Sequence, residues 1–235
     1  MQLYIIRHGE SANNALSAAE AANRVCDPPL TERGEAQARK LADHLAEMDV
    51  SPASPGSFDR QNRYGYRFTR IFCSPMLRAL RTTTPIAGAL EMRPEVWVDT
   101  HEQGGIWQEG SPDLPGLSRS EMERRFPDFV IPDGVKETGW WNRPQESESE
   151  WVARSARVAR EVKDRFASTE ERIAIVSHGG FGNLLLHSLV NSVPGSDTYF
   201  SHQNTGISRI DIEEGGLIQV RYLNRLEHLP RELVT

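Results

Sequence analysis

Cysteine is nearly absent from this chain of 235 residues: there are two, Cys26 and Cys73, and neither belongs to a CxxC pair. That excludes a disulfide scaffold and a thiolate metal site. Also lacking is any apolar run of about 20 residues, the length that a membrane-spanning helix needs. No basic segment followed by a short apolar stretch opens the chain, so a soluble, reducing, cytoplasmic setting is the expectation. Excess positive charge is missing too. The formal net charge is −6, with acidic and basic residues interspersed and no basic stripe. Nucleic acid and an anionic membrane are set aside as partners, whereas an anionic small molecule is not, because a local cationic pocket can sit on an acidic protein. There is no internal repeat and no low-complexity tract.

What the chain does have is a pair of histidines, each directly after a short apolar run. Leu3-Tyr4-Ile5-Ile6 leads into Arg7-His8-Gly9-Glu10-Ser11, and Ile173-Ala174-Ile175-Val176 leads into Ser177-His178-Gly179-Gly180. Each run has the length and β-branched content of a buried strand, and the glycine that follows is expected to let the backbone turn sharply. In an open α/β sheet, ligands sit outside the carboxyl ends of the strands, so two such strands would bring both imidazoles to one crevice.

The remaining pattern alternates strands and helices. Thr31 reads as the N-cap of a helix to about Met48. Arg70 to Cys73 reads as a strand, followed by Ser74 as N-cap and Pro75 in the first turn of a helix that Pro85 kinks or stops. Glu95 to Val98 is a third strand, and Glu148 to Phe166 is a helix with Val152, Ala156, Ala159, Val162 and Phe166 on one face. A helix from Gly180 to Val190 and a hairpin of Gly206 to Ile212 with Leu217 to Leu223 complete the chain. This order predicts an α/β fold, a three-layer α/β/α sandwich around a mainly parallel sheet. Residues 1–235 are expected to form one domain, with an inserted loop at about 51–67 and a cap-like excursion at about 104–144 that covers the crevice. The late hairpin or an edge strand could support a homodimer.

The polar residues at the predicted strand ends are Arg7 and His8, Ser74 with Arg78 one turn on, His101-Glu102, and His178. Two guanidiniums and two imidazoles around one point form an anion site, and arginine's planar fork suits phosphate oxygens. Helix N-termini at Ser74 and Gly180 would add N–H donors. Glu102 supplies a carboxyl able to protonate a leaving alkoxide. Together these describe phosphoryl transfer through a histidine. Fixed cations do the electrostatic work, so no metal or other cofactor is called for.

Arg7-His8-Gly9-Glu10 with Asn14 resembles the RHGE-x-x-x-N signature of the histidine phosphatase superfamily, the phosphoglycerate mutase-like proteins. Further blocks are similar in the same order: Pro29-Leu30-Thr31 with Gly34 and Gln37-Ala38, Ser74 to Thr82, Glu102 with Glu109-Gly110, Glu146-Ser147, and Val176 to Gly180. The resemblance implies a phosphoglycerate mutase-like fold and a metal-independent phosphomonoesterase of the histidine acid phosphatase type. Such an enzyme hydrolyses a small phosphorylated substrate through a phosphohistidine. It further implies His8 as nucleophile, His178 as second imidazole, Arg7 and Arg78 as phosphate clamps, and Glu102 as proton donor, with Glu109 competing for that role. Asn14 would touch the phosphoryl group or orient the loop, and Gly179 would contribute to the phosphate pocket. The chain departs from the pattern in four places. The glycine before the Glu-Gly pair is shifted by one, the loop from Ser51 to Arg67 is an insertion, Ala12-Asn13 replaces a tryptophan before Asn14, and the mutases' E-R-x-Y-G block is missing. That last absence counts against a phosphoglycerate mutase and leaves a phosphatase untouched. A non-catalytic phospho-ligand binding protein is the third reading.

Other residues carry plainer readings. His101 either contacts substrate or is an ordinary loop histidine. His44, His187, His202 and His228 show no ligand spacing and are read as structural or surface residues. Trp107, Trp140 and Trp141 either line the mouth of the site or pack the excursion onto the body. Arg124-Arg125 reads as a solvated helix face.

Overall fold

The computed structural model describes residues 1–47, 59–107, 114–192 and 197–235. Six strands form one sheet: β1 (Gln2–Arg7), β2 (Arg70–Cys73), β3 (Glu95–Val96), β4 (Arg172–Ser177), β5 (Ile207–Ile212) and β6 (Ile218–Arg225). Their order across the sheet is β3-β2-β4-β1-β5-β6. The pairs β2–β3, β2–β4 and β1–β4 are parallel, and the antiparallel character enters with β5 and β6, the expected hairpin.

Alternation along the central strands builds two cores at once. Leu3, Ile5, Ile173 and Ile175 point to one face, where they pack with Val158 and Val162 of α4 (Glu148–Phe166) and Phe181 and Leu185 of α5 (Gly179–Leu189). Tyr4, Ile6, Ala174 and Val176 point to the other, against Leu41 and Leu45 of α1 (Glu32–Ala46) and Ile86 of α2 (Leu77–Leu90). Helices thus cover both faces of the sheet, the three-layer arrangement expected from the alternating pattern. A third cluster joins the excursion to the body: Met122 of α3 (Arg119–Arg125), Phe126, Trp140 and Trp141 pack on Cys73, Met76 and Leu80.

Several local expectations change. Thr31 does cap α1, accepting from the Gly34 N–H at 3.0 Å. Helix α2, however, begins at Leu77, with Met76 rather than Ser74 at the N-cap position. Pro85 does not end the element, and α2 runs on to Leu90. Thr82, Thr83 and Thr84 bond back to the carbonyls of Arg78, Ala79 and Leu80, which satisfies their hydroxyls within the helix. The strand at Glu95 ends at Val96 and passes into a short 3-10 turn, Val98–Thr100. Much of the inserted loop at 51–67 lies outside the described residues. No helix among the described residues is long and apolar enough to cross a membrane.

Candidate active site

Three neighbouring strands end in step, which places their next residues side by side. Arg7 pairs with Ser177, and Cys73 with Val176. Beyond those ends the ladder continues as single bonds: the His8 N–H donates to the Ser177 carbonyl at 2.9 Å, and the Ser74 N–H to the Val176 carbonyl at 3.0 Å. His8 and His178 therefore meet edge to face, with ring centroids 5.1 Å apart.

The loop after His8 is held by its glycine, though not through a sharp turn. Gly9 has no positive φ. A Cβ there would lie 2.6 Å from the Gly34 carbonyl oxygen, and one on Gly34 would lie 2.0 Å from the Glu10 carbonyl oxygen. Two bare backbones let the loop after His8 lie directly on the start of α1. The Gly9 N–H donates to Thr82 Oγ1 at 3.0 Å, and the same hydroxyl donates to the Arg78 carbonyl, which ties this loop to α2.

Hydrogen bonds fix the state of His8. A carbonyl can only accept, so Nδ1 carries the proton that goes to the Gly9 carbonyl at 2.6 Å. Nε2 accepts from Arg78 Nε at 3.0 Å, which leaves its lone pair on the side of the guanidinium. Burial, with Arg78 and Arg7 nearby, holds the imidazole well below its ordinary pKa, so it is neutral at neutral pH. His178 is depressed in the same way, by burial first and then by Arg78. Its Nε2 meets Ser74 Oγ at 2.7 Å, while Nδ1 is buried without a partner. Ser74 Oγ also accepts from the Met76 N–H, which holds the hydroxyl against the His178 ring. Ser74 thus orients an imidazole.

Arg7 donates from Nη1 to the His202 carbonyl at 2.5 Å, and its Nε is buried and unpartnered. Arg78 is 8 % exposed and lies 3.6 Å from the carboxylate of Asp27. Asp27 also accepts the Leu77 N–H at the start of α2, so one carboxylate orients both the clamp and its helix. Neither Asp27 nor His202 stood out in the sequence. Asp27 sits just before the Pro29-Leu30-Thr31 block, and that adjacency was its one available signal.

A cleft of about 1140 Å³ opens over this floor, lined by Arg7, His8, Asn14, Arg78, Glu102 and Gly179 among others. Asn14 Oδ1 accepts from the Ser11 N–H and from Asn204 Nδ2, and Asn204 also donates to the His8 carbonyl, so Asn14 orients the loop from within the cleft. Glu102 lies against the N-terminus of α5, accepting from the N–H groups of Gly180 at 3.2 Å and Phe181 at 2.8 Å. The donors expected to face a ligand at Gly180 are taken by this carboxylate instead. Gly180 permits it, because a Cβ there would fall 2.7 Å from Glu102 Oε1. Glu109 lies outside the described residues.

His101 does not reach the cleft. It is fully buried against Trp140 and Trp141, with its pKa lowered to about 2 by burial and then by Arg154. Trp140 and Trp141 pack in the interior, whereas Trp107 is 48 % exposed and lines the cleft. Arg124 and Arg125 are exposed, as expected of a solvated face. Beneath Glu102 sits Arg154, 1 % exposed, bonded to both oxygens of Glu146 and to the carbonyls of Asp99 and His101. Only the apolar residues of α4 define its expected face, so an arginine that begins the buried stripe escapes that pattern.

Comparison with known proteins agrees with this geometry. Residues 3–225 match the model of the histidine phosphatase superfamily (branch 1). A probable phosphoglycerate mutase GpmB from Enterobacter sp. is 28% identical over 224 residues, covering 91% of this chain and 86% of that protein. A 2,3-bisphosphoglycerate-dependent phosphoglycerate mutase from Treponema pallidum is 29% identical over 126 residues, and the match spans 41% of its length. Among solved structures, a phosphoserine phosphatase mutant from Entamoeba histolytica superposes with a TM-score of 0.62 at 21% identity, covering 97% of this chain and 99% of the other. This likeness is one of fold, phosphoglycerate mutase-like and α/β.

Proposed function

The chain belongs to the histidine phosphatase superfamily, and from that premise we propose that it is a metal-independent phosphomonoesterase that hydrolyses a small phosphorylated metabolite through a phosphohistidine. The state of His8 carries the reading: a neutral imidazole whose Nδ1–H is fixed on Gly9 and whose Nε2 lone pair is held beside Arg78. Nucleophilic phosphoryl transfer requires a neutral ring nitrogen with guanidiniums beside it for the oxygens, and the Nε2 lone pair is released to phosphorus when Arg78 turns its Nε–H from His8 to the phosphoryl oxygens. Nε2 forms the N–P bond as the ester P–O bond breaks. Arg7, Arg78 and His178 hold the non-bridging oxygens, and Glu102 in its acid form protonates the leaving alkoxide. Water then attacks phosphorus, its proton passes to the Glu102 carboxylate, and the N–P bond breaks. The balance is ester plus water to alcohol plus inorganic phosphate, with His8 restored.

The decisive test is phosphate release from an aryl phosphate by the wild type and by His8→Ala, with acid-quenched labelling of the enzyme. Removal of the nucleophile is expected to cost about 10⁴-fold or more in kcat and to abolish the label, while a chelator leaves the wild type unchanged. Undiminished turnover by His8→Ala overturns the reading. The names of the relatives support a second reading, phosphoryl return to a second hydroxyl as in a mutase. That reaction requires a second hydroxyl in place of water as the phosphoryl acceptor, and the two outcomes differ in their products. With 3-phosphoglycerate and a bisphosphate primer, free phosphate and no 2-phosphoglycerate is the expected outcome. Phosphate release from any ester also removes the reading of a binding protein without catalysis.

A further inference from the structure

The cleft carries exposed apolar side chains that its phosphate-binding floor does not explain. Soluble proteins rarely gather large exposed apolar side chains, and a cluster of them marks a binding surface. Among the described residues, Val25, Trp107 and Tyr199 are exposed to 47%, 48% and 62%, and all three line this one cleft. They come from three separate segments, and Tyr199 also stands within electrostatic reach of Arg7 and Glu102, so it links this lining to the floor. Ala21 and Ala22, on the 3-10 turn Ala18–Asn23, extend the same wall with small exposed side chains. The volume, about 1140 Å³, far exceeds what a three-carbon phosphate ester fills. Polar side chains such as Gln103 and Gln145 also line the cleft and give substituents on a ring system somewhere to bond.

Resting on the phosphatase reading, we propose that the substrate is the phosphate monoester of a bulky, largely apolar ring alcohol, aromatic or alicyclic, whose ring system lies against Val25, Trp107 and Tyr199 while His8, Arg7 and Arg78 take the phosphoryl group. Arg24, also on the cleft and close enough to Arg78 to depress it electrostatically, belongs with the phosphoryl end. An aromatic side chain gains by contact area and by ring stacking, and neither gain is available to a small polyol or carboxylate.

The test uses non-hydrolysable phosphonates, so binding is read apart from turnover. Equilibrium dissociation constants are measured for 2-(1-naphthyl)ethylphosphonate and propylphosphonate on the full chain. Turnover of the two matching phosphate esters, both primary alkoxide leaving groups, is followed in parallel. The naphthyl ligand is expected to bind at least about tenfold tighter, from the area that it buries. Trp107→Ala and Tyr199→Ala are each expected to narrow that preference by about three- to tenfold, and Leu223→Ala, on the hairpin away from the cleft, to leave it unchanged. Equal affinity for the two phosphonates, or variants that weaken both alike, overturns the apolar subsite while hydrolysis of both esters leaves the phosphatase standing. If neither phosphonate binds and neither ester is hydrolysed, the phosphatase reading falls and the subsite falls with it.

Discussion

His8, Ser74 and His178 each stand one residue beyond a buried strand, and backbone bonds between neighbours fix their spacing. Val25, Trp107 and Tyr199, on the same cleft, ride on three separate segments between elements and are about half exposed or more. The floor is therefore set by sheet register, which shifts only in whole residues. The rim is set by loop packing, which tolerates change. On the proposed function, chemistry and substrate choice are held by different physical means in one cavity. Arg154 is where the two meet, since it bonds to the carbonyls of Asp99 and His101 on the strand-end side and sits beneath Glu102 on the loop that leads to Trp107.

Removing that junction should have the largest effect. Arg154→Met leaves the Glu146 carboxylate buried with no cation, and such a loss is expected to destabilise by about 3–5 kcal/mol. Urea denaturation would measure it, and Arg154→Met with Glu146→Leu should recover at least half, because neither charge is then stranded. A single variant as stable as the wild type would show that floor and rim are not joined here. Next comes Arg78→Lys. An ammonium cannot reach His8 Nε2 and the Asp27 carboxylate together as the guanidinium does at 3.0 Å and 3.6 Å. The expected loss is about 10²-fold in kcat/KM, roughly 2.7 kcal/mol, with little change in the naphthyl-over-propyl preference. A change in that preference would mean that the floor also sets specificity.

This division decides how much could be read in the sequence. The strand ends with His8 and His178, the capping by Thr31, the limits of α4 and the hairpin were legible, because burial periodicity and cap chemistry are local. Ser74 reads locally as a cap, yet its hydroxyl is turned to His178, a contact made only when β2 and β4 pair. Gly9 reads locally as a turn, and its need proves to be the approach of Gly34. Arg154 was invisible because a charge on a buried face breaks the apolar pattern used to find that face, and Asp27 because it sits in a loop whose approach to Arg78 and Leu77 is made only in the fold. His101 was ambiguous beside Glu102, and only the packing of Trp140 and Trp141 assigns it to the interior. The rim was the least legible, since Tyr199 has no motif and its position depends on the whole fold.

Acid should distinguish the two regions more gently. His8, His178, His101, His202 and His228 all have pKa values lowered by burial, His101 to about 2 and His228 to about 4. A base depressed in the folded state contributes stability that is fully present above its unfolded pKa of about 6.5, and this is lost as pH falls toward the folded value. Unfolding then takes up protons, at about 1.4 kcal/mol per pH unit for each group. Stability should fall by at least about 2 kcal/mol between pH 7 and pH 5, while the neutral His8 keeps kcat/KM from declining until below pH 6.5. Stability that is flat across that range would remove the buried neutral floor.

The smallest expected effect separates a rigid close contact from a yielding one. At Gly9 an added Cβ would strike backbone, the Gly34 carbonyl oxygen at 2.6 Å, and neither chain segment can withdraw. At Gly180 the same atom would strike the ends of two side chains, Glu102 Oε1 and Gln103 Oε1, both at 2.7 Å. Those ends can rotate away, and alanine also favours the helix over glycine by up to about 1 kcal/mol. Gly180→Ala should therefore change stability by less than about 1 kcal/mol. The displaced Glu102 would lose its bonds to the N–H groups of Gly180 and Phe181, so kcat should fall by about tenfold or less while phosphonate affinity holds. That split between kcat and binding would place Glu102 with the chemistry of the floor, although the loop that carries it leads into the rim. Loss of affinity without loss of kcat would assign it to the rim instead.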